Sequence, residues 1–271
     1  MPRNARSSPV GPHGTWFDFI PGMGRLSESL QGPLGRRWTW QVFQTTHFEI
    51  THVLVAVVVF LLLVLGAASY SSSLRKLGEE AILPSPRFNV RAIFESLADM
   101  VFGLLDGVMG EKNARKYLPF LGSFFLFVLC SNLISLVPGF RAPTDTLKTN
   151  IGLAALVFLA THVLGFKEHG IRYLEQFTGH IPLKSPLVVL VPLMFVIEII
   201  SHLIRPATLS IRLMANMFAD HAVVGVFFTL IPFLVPVPLM LLGVFVSVVQ
   251  ALVFTLMSAT YISLAVAHEE H

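Results

Sequence analysis

Four charged side chains stand inside an otherwise apolar stretch, residues 187–267, and they are the first candidates for chemistry. They are Glu198, Arg205, Arg212 and Asp220. A charge at the centre of a bilayer costs at least about 2.5–3.5 kcal/mol, so residues that carry one there usually serve an ion or proton pathway. Such a pathway is the function that this stretch predicts.

Six polar residues of the stretch recur at helical spacing. They are Glu198, Ser201, Arg205, Thr208, Arg212 and Asn216, and each lies three or four positions from the next. With 3.6 residues per turn, the six share one stripe of a helix. Because polar groups at membrane depth must be satisfied away from lipid, we expect the stripe to face protein or trapped water.

Arg212 has the strongest need for an anionic partner, because a guanidinium group keeps its positive charge in a protein. Along a helix, Glu198 would lie about 21 Å away and Asp220 about 12 Å away, so neither is placed to pair with it. We therefore predict that a carboxylate of a partner chain meets Arg212 within the membrane. The alternative is that Arg212 reaches the interface or pairs with backbone carbonyls. For Arg205, which can reach the membrane interface more easily, we prefer such a structural role to a role in the pathway.

Polar residues gather at both ends of this helix. The end predicted to be cytoplasmic carries Glu198, Ser201, His202 and Thr208; the outer end carries Asn216, Asp220 and His221, and the next helix adds Ser247 and Gln250. Two polar clusters separated by a fixed cation are typical of two half-channels that do not join. The alternative for each cluster is a set of buried polar groups that satisfy one another.

Other sites find less support in the sequence. His47, Glu49 and His52 precede or open the first apolar run, where they are an alternative place for collecting protons. His162 and His169 are seven positions apart without a third ligand at zinc spacing, so no metal site is expected. There is no glycine-rich phosphate loop and no nucleophile elbow, and we expect neither catalytic residues nor a cofactor.

The composition is that of a membrane protein. Of the 271 residues, 54% are hydrophobic and 13% are charged, against about 25% charged in soluble domains. The net charge of +3 comes from loop Lys and Arg, which suit an anionic bilayer surface better than nucleic acid. The single cysteine, Cys130, excludes an internal disulfide and a cysteine metal site.

Apolar runs predict an all-α polytopic membrane protein. It has about five membrane-embedded helices and one amphipathic surface helix, and the last two membrane helices form a long tilted hairpin. The spans lie at about 48–68, 118–137, 150–166, 187–230 and 239–267, and the surface helix lies at about 92–110. Residues 1–46 form an irregular extension and residues 47–268 a single membrane domain. The fourth span is too long to stand upright, so it must tilt, lie partly in the plane or kink at Pro192 or Pro206.

The distribution of Lys and Arg predicts the orientation. Ten of them fall in the segments that would be cytoplasmic if the N-terminus is outside, whereas the outer loop after the second span has only Arg141 and Lys148. The positive-inside rule therefore places the N-terminus outside and the C-terminus in the cytoplasm. The first 40 residues contain no apolar core of a signal peptide, so no cleavable signal is expected.

Three segments resemble subunit a of the F-type ATP synthase. They are residues 198–217 around Arg212 and Asn216, residues 250–262 from Gln250 onward, and residues 131–139. The resemblance covers roughly residues 45–268, and its arginine motif is highly specific. A bacterial inner membrane is the location that we expect.

The resemblance implies a non-catalytic stator that works against a rotating ring of c subunits, together with the b subunits of a peripheral stalk. It implies that Arg212 attracts the deprotonated carboxylate of each passing c subunit and blocks a direct proton leak. Protons would enter from outside past Asn216, His221 and Gln250, and would leave past Glu198 after the ring has turned.

Some positions depart from the pattern of this family. His221 stands where relatives carry a carboxylate, Gly243 where they carry His or Glu, and Ser135 where some carry an acid. The outer path is therefore open at this stage, with His221 acting alone or together with Asp220.

Two other functions would also use buried charges. One is a stand-alone secondary transporter, against which the absence of an internal repeat argues. The other is a scaffold subunit of a respiratory complex, which would not need Arg212. Proton or sodium specificity belongs largely to the c subunit.

Overall fold

A computed structural model describes residues 51–77, 89–137, 140, 142–173, 191–230 and 236–267 of the chain. These residues form five long helices and no strand: α1 Thr51–Leu77, α2 Val90–Ile134, α3 Leu147–His169, α4 Val191–Leu230 and α5 Pro236–Val266. A short 3₁₀ helix, Pro143–Asp145, precedes α3. All five long helices are long and apolar enough to cross a membrane. The predicted all-α polytopic fold is confirmed.

The helices differ in how much of their apolar surface this chain covers. Only 11% of the apolar window of α1 is buried, against 44% in α2. In lipid an apolar side chain needs no protein neighbour, and the helical backbone satisfies its own hydrogen bonds. The first span is therefore a peripheral helix, and α2 is the centre of the bundle.

Gly110 divides α2 into two parts. Its backbone has φ 76° and ψ 157°, a left-handed value that glycine adopts without a steric penalty. The sequence predicts a surface helix that ends at residue 110 and a span that begins near residue 118. In the structure the helix resumes directly at Glu111, and Glu111 pairs with Arg115 at 2.9 Å, four positions apart on one face.

The core lies between α2 and α5. The rings of Phe124 and Phe254 stack with centroids 6.1 Å apart, and Leu121, Phe125 and Ile262 are fully buried beside them. Helix α4 joins this core through one face only, where Leu209, Leu213 and Met217 are buried. Its opposite face is left on the surface of the bundle.

A buried polar joint ties α2, the 3₁₀ helix, α3 and α4 together. Thr144 donates to Oδ1 of Asn132 at 2.7 Å, and Asn150 donates to the carbonyl oxygen of Thr144 at 2.7 Å. Ser210 of α4 donates to the carbonyl oxygen of Asn150 at 3.2 Å. Because all four side chains are almost fully buried, these hydrogen bonds fix the position of α4 two residues before Arg212.

Several predictions about the outline of the chain fall outside the described residues. The extension, residues 1–46, is among them, as is the start of the fourth span, residues 187–190. The division into an extension and a membrane domain stays a prediction, and so does the tilt of the last hairpin. Pro192 is the second residue of α4, where its missing N–H has no helical partner to lose. Pro206 lies inside α4.

Candidate functional site

Arg212 lies on the outward face of α4, near the middle of the helix, and its side chain is exposed. In the described part of the chain no carboxylate lies within ion-pair distance of it. Apolar side chains flank it on either side of the helix, with Ile211 at 53% and Phe218 at 65% exposure. A permanent cation at membrane depth calls for an anion, and the described residues do not supply one.

Small side chains line the helix face on both sides of Arg212. Thr208, Ala215, Ala219 and Ala222 are all exposed and lie three or four positions apart, so they continue the row through Arg212. Small residues on a membrane helix let the backbone of another helix approach closely. We call this row, residues 208, 212, 215, 219 and 222, the Arg212 strip.

The outer cluster forms between α4 and α5. Nδ2 of Asn216 donates to Oε1 of Gln250 at 2.5 Å, and Gln250 is only 3% exposed. Ser247, also buried, donates to the carbonyl oxygen of Gly243 at 2.7 Å. The structure thus joins Asn216 of α4 to Gln250 of α5, whereas the hydrogen bond of Ser247 stays within α5.

Asp220 lies against Gly243 at the same interface. A Cβ added to Gly243 would lie 2.9 Å from Oδ2 of Asp220 and 2.7 Å from Cδ2 of Leu136. The absence of a side chain at position 243 is therefore what gives the Asp220 carboxylate its place. His221 lies on α4, but its side chain is outside the described residues.

The inner cluster is built mainly within α4. Nδ1 of His202 lies 3.3 Å from Oε1 of Glu198, one turn away. His202 is buried, while Glu198 and Ser201 are half-buried. Thr208, which belongs to the Arg212 strip, donates to the carbonyl oxygen of Arg205 at 2.9 Å.

Arg205 has a structural contact that the sequence did not identify. Its guanidinium carbon lies 5.4 Å from the centre of the Tyr261 ring on α5. A cation at that distance is attracted to the face of the ring. The two arginines of α4 therefore differ, because Arg205 contacts an aromatic ring of α5 and Arg212 has no such contact among the described residues.

The two clusters do not meet. Glu198 and Asn216 are 18 positions apart on one helix, which corresponds to about 27 Å, and Arg212 lies between them. His47 and Glu49 are outside the described residues, and His52 is half-buried near the start of α1. Over the described residues, no group of three or more His, Cys, Asp or Glu side chains is close enough to hold a metal ion.

Two features escaped the sequence reasoning. The first is the polar joint around Asn150 and Ser210, which Asn, Thr and Ser inside apolar runs could have indicated. The second is His162 of α3, whose ring centroid lies 5.3 Å from that of His202. Its pairing partner lies 40 positions away on another helix, and no spacing rule links residues so far apart.

Comparisons with known proteins show the family of this chain. The sequence profile of the family described as ATP synthase A chain matches residues 49–263. The chain is 42% identical over 233 residues to ATP synthase subunit a of Bdellovibrio bacteriovorus, covering 86% of this chain and 98% of that protein. It is 39% identical over 219 residues to the subunit a of Sorangium cellulosum, with 81% and 83% covered. Over 167 residues it is 50% identical to that of Geobacter sulfurreducens, with 61% and 70% covered.

The profile spans well over half of the chain, and the match includes all of the candidate site. The chain belongs to the ATP synthase A chain family.

Proposed function

We propose that this chain is the stationary half of a proton-driven rotary machine, in which Arg212 faces the carboxylates of a rotating ring of c subunits. Membership of the family makes it a subunit of the proton-translocating membrane sector of ATP synthase. The chain itself carries no reaction on ATP in this proposal.

The exposed, unpaired position of Arg212 supports the proposal most directly. The anion that it requires must come from a neighbour, and the Arg212 strip offers a narrow row of small side chains on which a neighbouring helix can lie closely. A neighbour that stayed in place would give a static ion pair. Successive carboxylates of a turning ring would instead be attracted one after another and released on protonation.

The outer cluster supports a path for protons from the outer surface to the ring. Asn216 and Gln250 can hold and orient water through their amide groups, and Asp220 and His221 are the groups there that can gain or lose a proton. The path ends at the level of Asn216, one turn from Arg212. A c-subunit carboxylate that takes up a proton there loses its attraction to the guanidinium.

The inner cluster supports a second path, from the ring to the cytoplasm. The pair Glu198 and His202 accepts the proton, with Ser201 and Thr208 on the same side of the helix. Arg212 lies between the paths, and its fixed positive charge opposes a proton that would pass directly between them. Each charge that crosses releases about 2.3 kcal/mol per 100 mV of membrane potential.

The other partners follow from the same architecture. The poorly covered face of α1 meets lipid and the b subunits of a peripheral stalk. The bacterial relatives and the five apolar helices indicate a multi-pass protein of the inner membrane. We infer an outer N-terminus and a cytoplasmic C-terminus from the Lys and Arg distribution.

The test is Arg212→Ala in the complete ATP synthase, measured in inverted membrane vesicles. We expect ATP-driven proton pumping and ATP synthesis to fall to background, because no cation is left to separate the two paths or to attract the ring. Arg212→Lys should also fail, since a lysine can lose its proton at membrane depth.

Arg115→Ala is the matched control. It removes an exposed arginine that pairs with Glu111 outside the Arg212 strip, and pumping should stay at the parental rate. Normal coupling in an assembled Arg212→Ala complex would rule the proposal out.

A further inference from the structure

The chain turns sharply at the end of α3, and the turn brings a tyrosine back onto that helix. Helix α3 ends at His169, and Gly170 follows with φ 59° and ψ −137°, a conformation that glycine adopts without a steric penalty. Residues 170–173 form a short 3₁₀ turn. Tyr173, the last residue of this turn, is only 3% exposed, so its ring belongs to the packed interior.

Gly165 provides the place for the Tyr173 ring on α3. A Cβ added to Gly165 would lie 2.8 Å from both Cδ2 and Cζ of Tyr173, whereas carbon atoms that are not bonded to each other prefer about 3.5–4.0 Å. The ring also packs against Phe166, with centroids 4.8 Å apart. The missing side chain at position 165 therefore lets the ring lie directly on the helix backbone.

The Tyr173 ring is connected to the inner cluster by two further ring contacts. It meets the imidazole of His162 edge to face, with centroids 6.0 Å apart and the rings at 85°. The ring of His202 on α4 lies 5.3 Å from that of His162, at 71°. Edge-to-face pairs at such distances attract one another. Since Nδ1 of His202 lies 3.3 Å from Oε1 of Glu198, the contacts lead from the end of α3 to this carboxylate.

Helix α4 has little other support at the level of Glu198. Residues 191–208 are all described, and His202 is the one buried residue among them. The residues around it face outward, with Ile200 at 49% and Leu203 at 59% exposure. The packing of His202 against His162 is therefore the main contact that can fix this part of α4.

We propose that Tyr173 is a positioning residue of the inner proton path, which sets the place of His202 and Glu198 through the ring of His162. The inference rests on the proposed function, because it adds the end of α3 to the path from the ring of c subunits to the cytoplasm. Tyr173 takes up no proton itself. Its contribution is the packing of its aromatic ring.

Charged and titratable groups surround this row of rings on several helices. From α4, Glu198 and Arg205 lie close enough to Tyr173 to act on it electrostatically, and Arg205 also faces Tyr261 of α5. Near the end of α3, Glu168 pairs with Lys116 of α2 at 3.4 Å. Replacing Tyr173 by an apolar residue changes none of these charges, because a tyrosine keeps its proton up to about pH 10.

The experiment is Tyr173→Leu in the complete ATP synthase, in inverted vesicles whose outer medium bathes the cytoplasmic side. ATP-driven pumping takes protons from that side, and the medium is varied between about pH 6 and pH 9, where histidine changes charge. A displaced pair of His202 and Glu198 captures protons less readily. We expect the pH of half-maximal pumping to move about half a unit towards acid, equivalent to about threefold weaker capture, with little change in the most acidic medium.

Tyr173→Phe is the conservative variant, because it keeps the ring and removes only the hydroxyl group. Its pH profile should match the parent. An unchanged profile for Tyr173→Leu overturns the proposal, and so does an equal shift in Tyr173→Phe, since the hydroxyl group and not the ring packing would then be responsible.

Tyr117→Leu is the matched control for loss of packing. Tyr117 is a buried tyrosine of α2, and its ring faces Lys116. Loss of this ring should make the complex more sensitive to heat but leave the pH profile at its parental position. If Tyr117→Leu shifts the profile as far as Tyr173→Leu does, any loss of packing has this effect, and the proposal is overturned.

Gly165→Ala displaces the Tyr173 ring without removing it, because the new Cβ would overlap the ring. It should give the same acid shift. If Tyr173→Leu does not assemble, this variant decides, and a parental profile overturns the proposal. Pumping by Arg212→Ala separates the two claims: normal pumping there refutes the rotary function, whereas a parental profile for Tyr173→Leu refutes only the positioning role.

Discussion

The outer and inner clusters differ in the chemistry of their side chains. The outer cluster joins two helices through amides, with Asn216 bonded to Gln250 and a carboxylate fitted over Gly243. The inner cluster uses groups that exchange protons, Glu198 and His202, one turn apart on one helix. An amide orients water but holds no extra proton, whereas an imidazole does both. We therefore expect the amide pair of the outer cluster to act through its shape, and the pair of Glu198 and His202 to act through proton capture.

Among variants of the two clusters, Gly243→Ala should give the largest effect, because the outer side depends on shape. The new Cβ would overlap the Asp220 carboxylate and Leu136. Overpacking of this kind costs about 1–3 kcal/mol, which corresponds to about a 5- to 150-fold loss of pumping if it acts on the path. Pumping in vesicles measures it.

The double variant Gly243→Ala with Asp220→Gly is the control for this prediction. Removing the carboxylate relieves the overlap, so the double variant should pump better than Gly243→Ala alone. Equal rates in the two would show that the contact with Asp220 is not what limits the outer path.

Gln250→Leu should have the next largest effect. It removes the oxygen that accepts from Asn216 and leaves that amide to find water, at a cost of about 1 kcal/mol, or about a fivefold slower pumping rate. Gln250→Glu keeps an accepting oxygen and should retain more activity. The amide pair has no role in the path if both variants pump at the parental rate.

Tyr261→Leu should act on stability instead of pumping, because Arg205 is held by the ring. We expect the free energy of unfolding to fall by about 0.5–1 kcal/mol, seen as earlier loss of the assembled complex on heating in detergent. Tyr261→Phe keeps the ring face and should match the parent. A heat sensitivity shared by both variants would point to the hydroxyl instead.

Glu198→Gln should give the smallest effect on pumping at neutral pH. The pair with His202 is a one-turn pair with a partly exposed carboxylate, and such pairs contribute about 0.3–0.5 kcal/mol, or about a twofold change in rate. His202 remains to take up the proton. A loss of pumping as large as that of Gly243→Ala would contradict this prediction. It would mean that proton capture by Glu198 limits the rate of pumping.

The sequence was sufficient for everything that helical spacing determines. The stripe from Glu198 to Asn216 and the mutual isolation of Arg212 and Asp220 follow from 3.6 residues per turn. The kink at Gly110 was not predicted in its observed form, since charged residues after a glycine indicate a loop as readily as a new helix. Other contacts between helices could not be predicted from spacing: the neighbour of His202 is on α3, and that of Arg205 is on α5. Which face of one helix meets another depends on packing over the whole bundle.

The joint between Asn150 and Ser210 has a mechanical consequence. A moving partner that attracts the guanidinium at position 212 would exert a lateral force on α4. A helix without contacts to its neighbours would bend under that force. The joint lies two residues before Arg212 and connects α4 to α2 and α3. It would therefore distribute the force over three helices and limit the bending of α4. Torque from a turning partner would then be borne by the whole bundle.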